Sequence, residues 1–295
     1  MASQSSSPSR ALVLGGGGAV GVGWQVGILT GLRESGIDFA AADEILGTSA
    51  GALVGALLSS GRDITGALAG LGALARTIDS DAMAAGNDAF LDAMRQASLG
   101  ADPQTLVREI GQTALTANTM PLDVYLGLFG DVLDDIAWPA GFRCTAIDAE
   151  SGQIVVWDEE SGVPLRDAVA SSCVVPALFP PVPINGRLYM DGGIISHVNA
   201  TSISPADVVV VLSCHALGSP DAADQEALVT SNIAADAEIA TLRESSTVIA
   251  IDPDFGDLNV TQEQMMDANV ASQAVKIGRQ QAGTEAASIL AVWRD

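Results

Sequence analysis

The apolar residues of this chain come in short runs that end at glycine. Ala11-Leu12-Val13-Leu14 is one such run, and it reads as a buried β-strand. After it, Trp24, Ile28 and Leu32, with Val26 and Leu29, recur at helical spacing, and the helix they predict stops near Ser35-Gly36. Glu44-Ile45-Leu46 is a second short strand, and the small apolar stretch from Ala52 to Ser60 predicts a helix packed close to a sheet. Strand, helix, strand, helix is the order of a parallel sheet.

Residues 62–140 break that rhythm. They carry weak helical periodicity and scattered turn signals, and they predict a helical insertion that caps the sheet. Strands resume at Phe142–Ile147 and Gln153–Trp157, joined as a hairpin around Glu150-Ser151-Gly152. A short helix follows at Pro164–Ser171, with proline in its first turn. Val208–Leu212 and Thr247–Ile251 are β-branched runs that predict buried strands. An acidic helical stretch over 221–243 lies between them, and a last helix is expected over 262–293. The expected fold is therefore α/β: a three-layer α/β/α arrangement with a mostly parallel central sheet and a helical cap. Its expected organisation is a Ser-rich disordered tail over 1–10 and one domain over 11–295, with the cap at about 62–140.

Composition narrows the function. The chain has 295 residues and 13 basic against 36 acidic side chains, a formal net charge of −23. Lys276 is the only lysine. Such a chain cannot neutralise a row of phosphates, so nucleic acid is excluded as a partner. Electrostatic docking on anionic lipid is excluded for the same reason, and any membrane contact is expected through apolar residues of the cap. Cys144, Cys173 and Cys214 are widely spaced, with no CxxC and no Cys/His cluster, so neither a disulfide framework nor a metal site is expected. The uncharged stretch from Ala11 to Leu32 could pass for a signal peptide or a membrane span. Eight glycines in it, four of them consecutive, argue against a spanning helix. A cytoplasmic location is the resulting expectation. Nothing in the sequence bears on oligomeric state.

Two segments carry candidate chemistry. Gly15-Gly16-Gly17-Gly18-Ala19-Val20-Gly21 lies between a strand and a helix. Glycines let the backbone turn N–H groups outward, and the helix N-terminus adds positive charge, so the loop suits a phosphate or a reaction oxyanion. Gly16, Gly18 and Gly21 also satisfy GxGxxG. A dinucleotide reading, however, wants an acid at the end of the second strand, and Asp38 and Glu44 lie before it. The second segment is Gly47-Thr48-Ser49-Ala50-Gly51, a G-x-S-x-G between a strand and a helix, which is the pattern of a nucleophile elbow. Chance alone supplies about 0.3 such matches in a chain of this composition, so its placement one βα unit after the glycine loop is what counts. Loops at the C-terminal ends of neighbouring parallel strands open into one crevice.

A serine nucleophile needs a base. His197 and His215 are the only histidines, and neither has an evident acid partner; both are read as structural. The other candidate is Asp191 in Tyr189-Met190-Asp191-Gly192-Gly193-Ile194. There a turn is the plain reading, yet apolar flanks would raise the carboxyl pKa and improve it as a base.

These pieces, in this order, resemble the patatin-like phospholipases, over about Ala11 to Asn199. Leu12 to Gly18 resembles the family's first block, Gly47 to Gly51 its nucleophile segment, and Asp191-Gly192-Gly193 its aspartate block. Ala170-Ser171-Ser172 through Pro176, with Phe179-Pro180-Pro181, resembles the segment that precedes the aspartate. One departure is Val20, where that family usually carries arginine or lysine. The resemblance implies a lipid acyl hydrolase without metal or organic cofactor. Ser49 and Asp191 would form its dyad, Gly16, Gly17 and Gly18 its oxyanion hole, and Gly21, Gly47, Gly51, Gly192 and Gly193 would shape the loops. The alternatives are a dinucleotide-binding protein that uses the Gly16–Gly21 loop, and a catalytically weak relative that only binds lipid.

Overall fold

The computed structural model describes residues 8–65, 68, 86, 88, 103–217, 226–256, 258, 260–261 and 264–293. Two helices come first on the sheet: β1 (Arg10–Leu14) leads into α1 (Gly18–Glu34), and β2 (Glu44–Thr48) into α2 (Ala50–Ser59). Of the expected cap, α3 (Pro103–Thr116) and α4 (Leu122–Leu133) are described, while most of 66–102 lies outside the described residues. Next come β3 (Phe142–Asp148), β4 (Ile154–Trp157), α5 (Leu165–Ser172), β5 (Val182–Ile184) and β6 (Arg187–Asp191). The chain closes with β7 (Val208–Leu212), α6 (Glu226–Leu242), β8 (Thr247–Ile251) and α7 (Ala268–Val292).

The eight strands form one mixed sheet. Hydrogen-bonded neighbours run β5-β6-β3-β2-β1-β7-β8, and β4 also pairs with β3. The pairs β3-β2, β2-β1, β1-β7 and β7-β8 are parallel, whereas β4, β5 and β6 join antiparallel. Alternation along β1 and β7 sorts the layers. Leu12, Leu14, Val210 and Leu212 point into the larger core beneath α1, α2 and α7; Ala11, Val13, Val209 and Val211 point to Ala235 and Ile239 of α6. Both faces of the central strands are thus covered, as a parallel sheet requires.

α1 and α7 pack unusually close because glycine replaces side chains at the seam. A Cβ built on Gly23 would overlap the Ala271 carbonyl, one on Gly27 the Val275 carbonyl, and one on Gly278 the Trp24 carbonyl. A Cβ on Gly31 would stand 2.6 Å from that of Ala282. The Trp24 indole N–H donates to Gln281 Oε1 at 2.9 Å across the same seam.

Three boundaries differ from the sequence reading. Ser9 and Arg10, expected in the tail, belong to the fold: Ser9 N–H and hydroxyl both donate to Asp207, and Arg10 opens β1. α7 begins at Ala268 rather than near 262, because the Asp267 carboxylate caps it by accepting from the N–H groups of Asn269 and Val270. The β5–β6 hairpin was not expected, although its turn, Asn185-Gly186, is a strong hairpin dipeptide. Both residues have positive φ, +50° and +78°.

Candidate active site

The strand registers bring two distant loops together. Thr48, at the end of β2, is opposite Thr145 of β3. Asp191, at the end of β6, is opposite Ala146, the next residue of β3. β4 occupies Cys144 to Ile147 on the other edge of β3, so β2 and β6 must share one edge and meet at their C-terminal ends. Residues that leave those two ends therefore meet although 142 positions separate them.

Ser49 follows β2 with φ +53° and ψ −118°, a left-handed conformation that strains a serine by about 1–3 kcal/mol. Packing enforces it. A Cβ on Gly51 would overlap the Leu14 carbonyl, and one on Gly47 would stand 2.5 Å from Ala52 Cα. Neighbours at the C-terminal end of α5 complete the clamp: Ser172 Oγ accepts the Ser49 N–H at 2.8 Å, and the Cys173 thiol donates to the Ser49 carbonyl at 3.2 Å. The Ser49 side chain stands close enough to the Asp191 carboxylate to lower its pKa. Both residues are buried, with 8% and 4% of their surface exposed.

Burial raises the Asp191 carboxyl to a pKa of about 6, against the opposing pull of the Ser49 hydroxyl and of Gly193 N–H, which donates to Oδ1 at 2.7 Å. Tyr125 of α4 and the Cys173 thiol lie near it, and burial pushes both of their pKa values up, so both stay neutral near pH 7. Ionised Asp191 is thus an anion poor in compensating charge. A carboxyl whose pKa is higher in the folded chain stabilises it below the unfolded pKa, and that stabilisation is lost as the pH rises through about 6. Asp191→Asn is therefore expected to be more stable than the parent at pH 8, by up to about 3 kcal/mol, a gain that disappears by about pH 4. Urea unfolding at both pH values measures it.

The glycine loop faces this pair from the end of β1. Gly16 lies against Ser49, since a Cβ on it would be 3.1 Å from the serine Cβ. Its N–H, however, already donates to the His197 carbonyl at 2.7 Å. The N–H groups of Gly17 and Gly18 have no acceptor among the described residues and stand at the N-terminus of α1. The floor of the loop is filled by protein: a Cβ on Gly17 would overlap that of Cys214, and one on Gly21 would lie 3.0 Å from its sulfur. The dinucleotide reading also lacks its acids. Glu44, at the opposite end of β2, is paired with Arg143 at 2.8 Å, and Asp38 caps a short turn by accepting from Ala40 N–H. Val20, the departure noted above, is wholly buried, and its N–H donates to the Met265 carbonyl at 3.0 Å. That position points into the core of this chain rather than into the crevice.

The histidines form a separate cluster. His197 Nε2 is 2.7 Å from Ser213 Oγ, the two imidazoles are 5.0 Å apart edge to face, and burial lowers the His215 pKa to about 4. Sequence reasoning missed Ser172, Cys173 and Asn199 as parts of the site. The serine and cysteine stand in the segment that resembles the family's, but nothing in their spacing says that they hold the elbow. Among the described residues no group of three or more His, Cys, Asp or Glu is placed to hold a metal ion, and no helix is long and apolar enough to cross a membrane.

An uncharacterised NTE-family protein of Mycobacterium bovis is 27% identical over 231 residues, covering 77% of this chain and 54% of the relative. An uncharacterised NTE-family protein of Mycobacterium tuberculosis is 29% identical over 192 residues, covering 65% of this chain and 27% of the relative. The chain thus spans about half the length of the first relative and less of the second. Among solved structures, VipD from Legionella pneumophila aligns over 96% of this chain and 67% of its own, with a TM-score of 0.46 and 14% identity. The ExoU chain of the ExoU–SpcU complex of Pseudomonas aeruginosa aligns over 97% and 52%, with 0.43 and 18%. The patatin-like phospholipase profile matches residues 12–203, a span that takes in the glycine loop, the Ser49 elbow and the Asp191 turn, and so the chain belongs to the patatin-like phospholipase family.

Proposed function

We propose that the chain is a lipid acyl hydrolase that works through Ser49 and Asp191. Ser49 Oγ attacks the ester carbonyl while its proton passes to the Asp191 carboxylate. The carbonyl oxygen takes the negative charge and is held by the N–H groups of Gly17 and Gly18 at the α1 N-terminus; each donor of this kind contributes about 2.7–4 kcal/mol to lowering the barrier. Collapse of the tetrahedral intermediate breaks the C–O bond, and the departing alkoxide takes the proton from Asp191. The resulting acyl-enzyme is opened by a water whose proton goes to Asp191, and the second collapse returns a proton to Ser49 as the fatty acid leaves. Gly16 shapes the wall beside Ser49 rather than donating, its N–H being engaged by His197.

The observation that carries this reading is a buried serine on a strained strand-to-helix turn, beside a carboxylate whose pKa of about 6 suits a base near neutrality. The family adds the substrate class: esters of lipids. We further propose that the chain from Ser9 onward acts as one domain, with the helical stretch 62–140 over the acyl pocket. A fluorophosphonate probe is expected to form one covalent adduct, on the peptide that contains Ser49, with loss of ester hydrolysis in step with labelling. Hydrolysis that survives with Ser49 unlabelled would overturn the assignment.

A further inference from the structure

Asn199 is 2% exposed and holds φ +50°, a left-handed conformation that asparagine tolerates better than most residues. Its side-chain nitrogen lies within hydrogen-bond distance of four oxygens on three segments: Ser196 O at 2.7 Å and Gly192 O at 3.1 Å in the turn after β6, Thr48 Oγ1 of β2 at 3.2 Å and Thr145 Oγ1 of β3 at 3.3 Å. The two threonine hydroxyls are themselves 2.8 Å apart. One amide therefore ties the residue before Ser49, its partner on β3 and the residue after Asp191.

The bond to Gly192 matters most. The Gly192 carbonyl and the Gly193 N–H are the two ends of one planar peptide unit. Fixing the carbonyl turns the N–H onto Asp191 Oδ1, and accepting a hydrogen bond at one end of a peptide polarises the other. The turn that bears Asn199 is anchored from outside: Ser196 Oγ accepts from Asn199 N–H at 3.1 Å and donates to Glu238 of α6 at 3.0 Å, and Ala200 N–H donates to the same carboxylate at 2.6 Å.

We propose that Asn199 is a positioning residue for the dyad: it orients the Gly192–Gly193 peptide so that its N–H holds the Asp191 carboxylate against Ser49. The inference rests on the Ser49–Asp191 reading and deepens it. Without the amide, Asp191 loses a directed N–H that favours its ionised form, so the acid limb of activity moves to higher pH. Tyr125 and Cys173, the titratable groups that face Asp191 from α4 and from the end of α5, stay neutral through this range, which leaves the limb to Asp191 itself.

The test compares the parent chain with Asn199→Ala and with Thr145→Val, which keeps volume and removes one anchor of the same amide. The rate of fluorophosphonate labelling of Ser49 is followed from pH 5 to 9, with kcat and KM on p-nitrophenyl butyrate, on protein shown folded by circular dichroism. Asn199→Ala is expected to label about 10- to 100-fold more slowly, with kcat lowered, KM unchanged and the acid limb at higher pH. Thr145→Val should shift the same way by less. Whichever variant folds decides the matter: parent-like rate and limb, or a loss without any shift of the limb, overturns the positioning role. If the parent itself is not labelled at Ser49, the dyad reading fails; if the parent is labelled and the variants match it, only the role of Asn199 fails.

Discussion

Replacing Ser49 by alanine is expected to lower kcat/KM on a short p-nitrophenyl ester by about 10⁶-fold, because the oxygen that would bond to the acyl carbon is gone. Asp191→Asn keeps the shape and the Gly193 N–H contact but removes the proton acceptor, and a loss of about 10²–10⁴ follows. The two variants should therefore be unequal. In the parent, kcat/KM rises with pH through about 6 and then levels, because only the ionised carboxylate can take the serine proton. In Asp191→Asn that limb is absent. Initial-rate measurements between pH 5 and 9 decide it, and parent-like rates in Ser49→Ala would remove the proposed mechanism altogether.

Gly27→Ala is expected to destabilise the chain by about 2–3 kcal/mol, a sign opposite to the usual one. In an exposed helix interior, alanine is better than glycine by about 1 kcal/mol. Here the added methyl would sit inside the Val275 carbonyl, and its next neighbours, Val275 C at 2.9 Å and Arg279 N at 3.0 Å, are also backbone atoms that no rotamer change can move. Relief requires α1 and α7 to separate, which opens the seam at Gly23, Gly31 and Gly278 as well. Urea midpoints measure the stability. The control is Gly283→Ala, at a position of α7 where a Cβ meets nothing within 4 Å, which should stabilise slightly.

Legibility varied with how local the cause was. The bounds of β7 and β8 are legible to the residue, because a run of β-branched side chains fits a pleated strand; only β7 is buried throughout, since β8 lies at the sheet edge with Thr247 exposed and Val248 to Ala250 half-buried. The start of α7 is not legible from composition, because Gln262 to Met266 are themselves good helix formers and the deciding signal is the single capping carboxylate of Asp267. The β5–β6 hairpin, which delivers Asp191, was passed over although Asn185-Gly186 announces it; its strands have three and five residues, too short for alternation to stand out. Glycine at position 16 permits an outward-facing N–H, but nothing in the sequence reveals that the His197 carbonyl already occupies it.

By itself the sequence determined the αβ rhythm, the glycine loop and the small residues on either side of Ser49, all of which follow from local sterics. Tertiary structure alone decided that Ser49 and Asp191 stand side by side, that burial brings the carboxyl pKa to about 6, and which N–H groups of the glycine loop are already engaged. These depend on β2 and β6 ending at adjacent positions on one edge of β3 and on what packs around that junction. Such pairings join residues far apart in the chain, and no periodicity or spacing along one strand of sequence encodes the register of another.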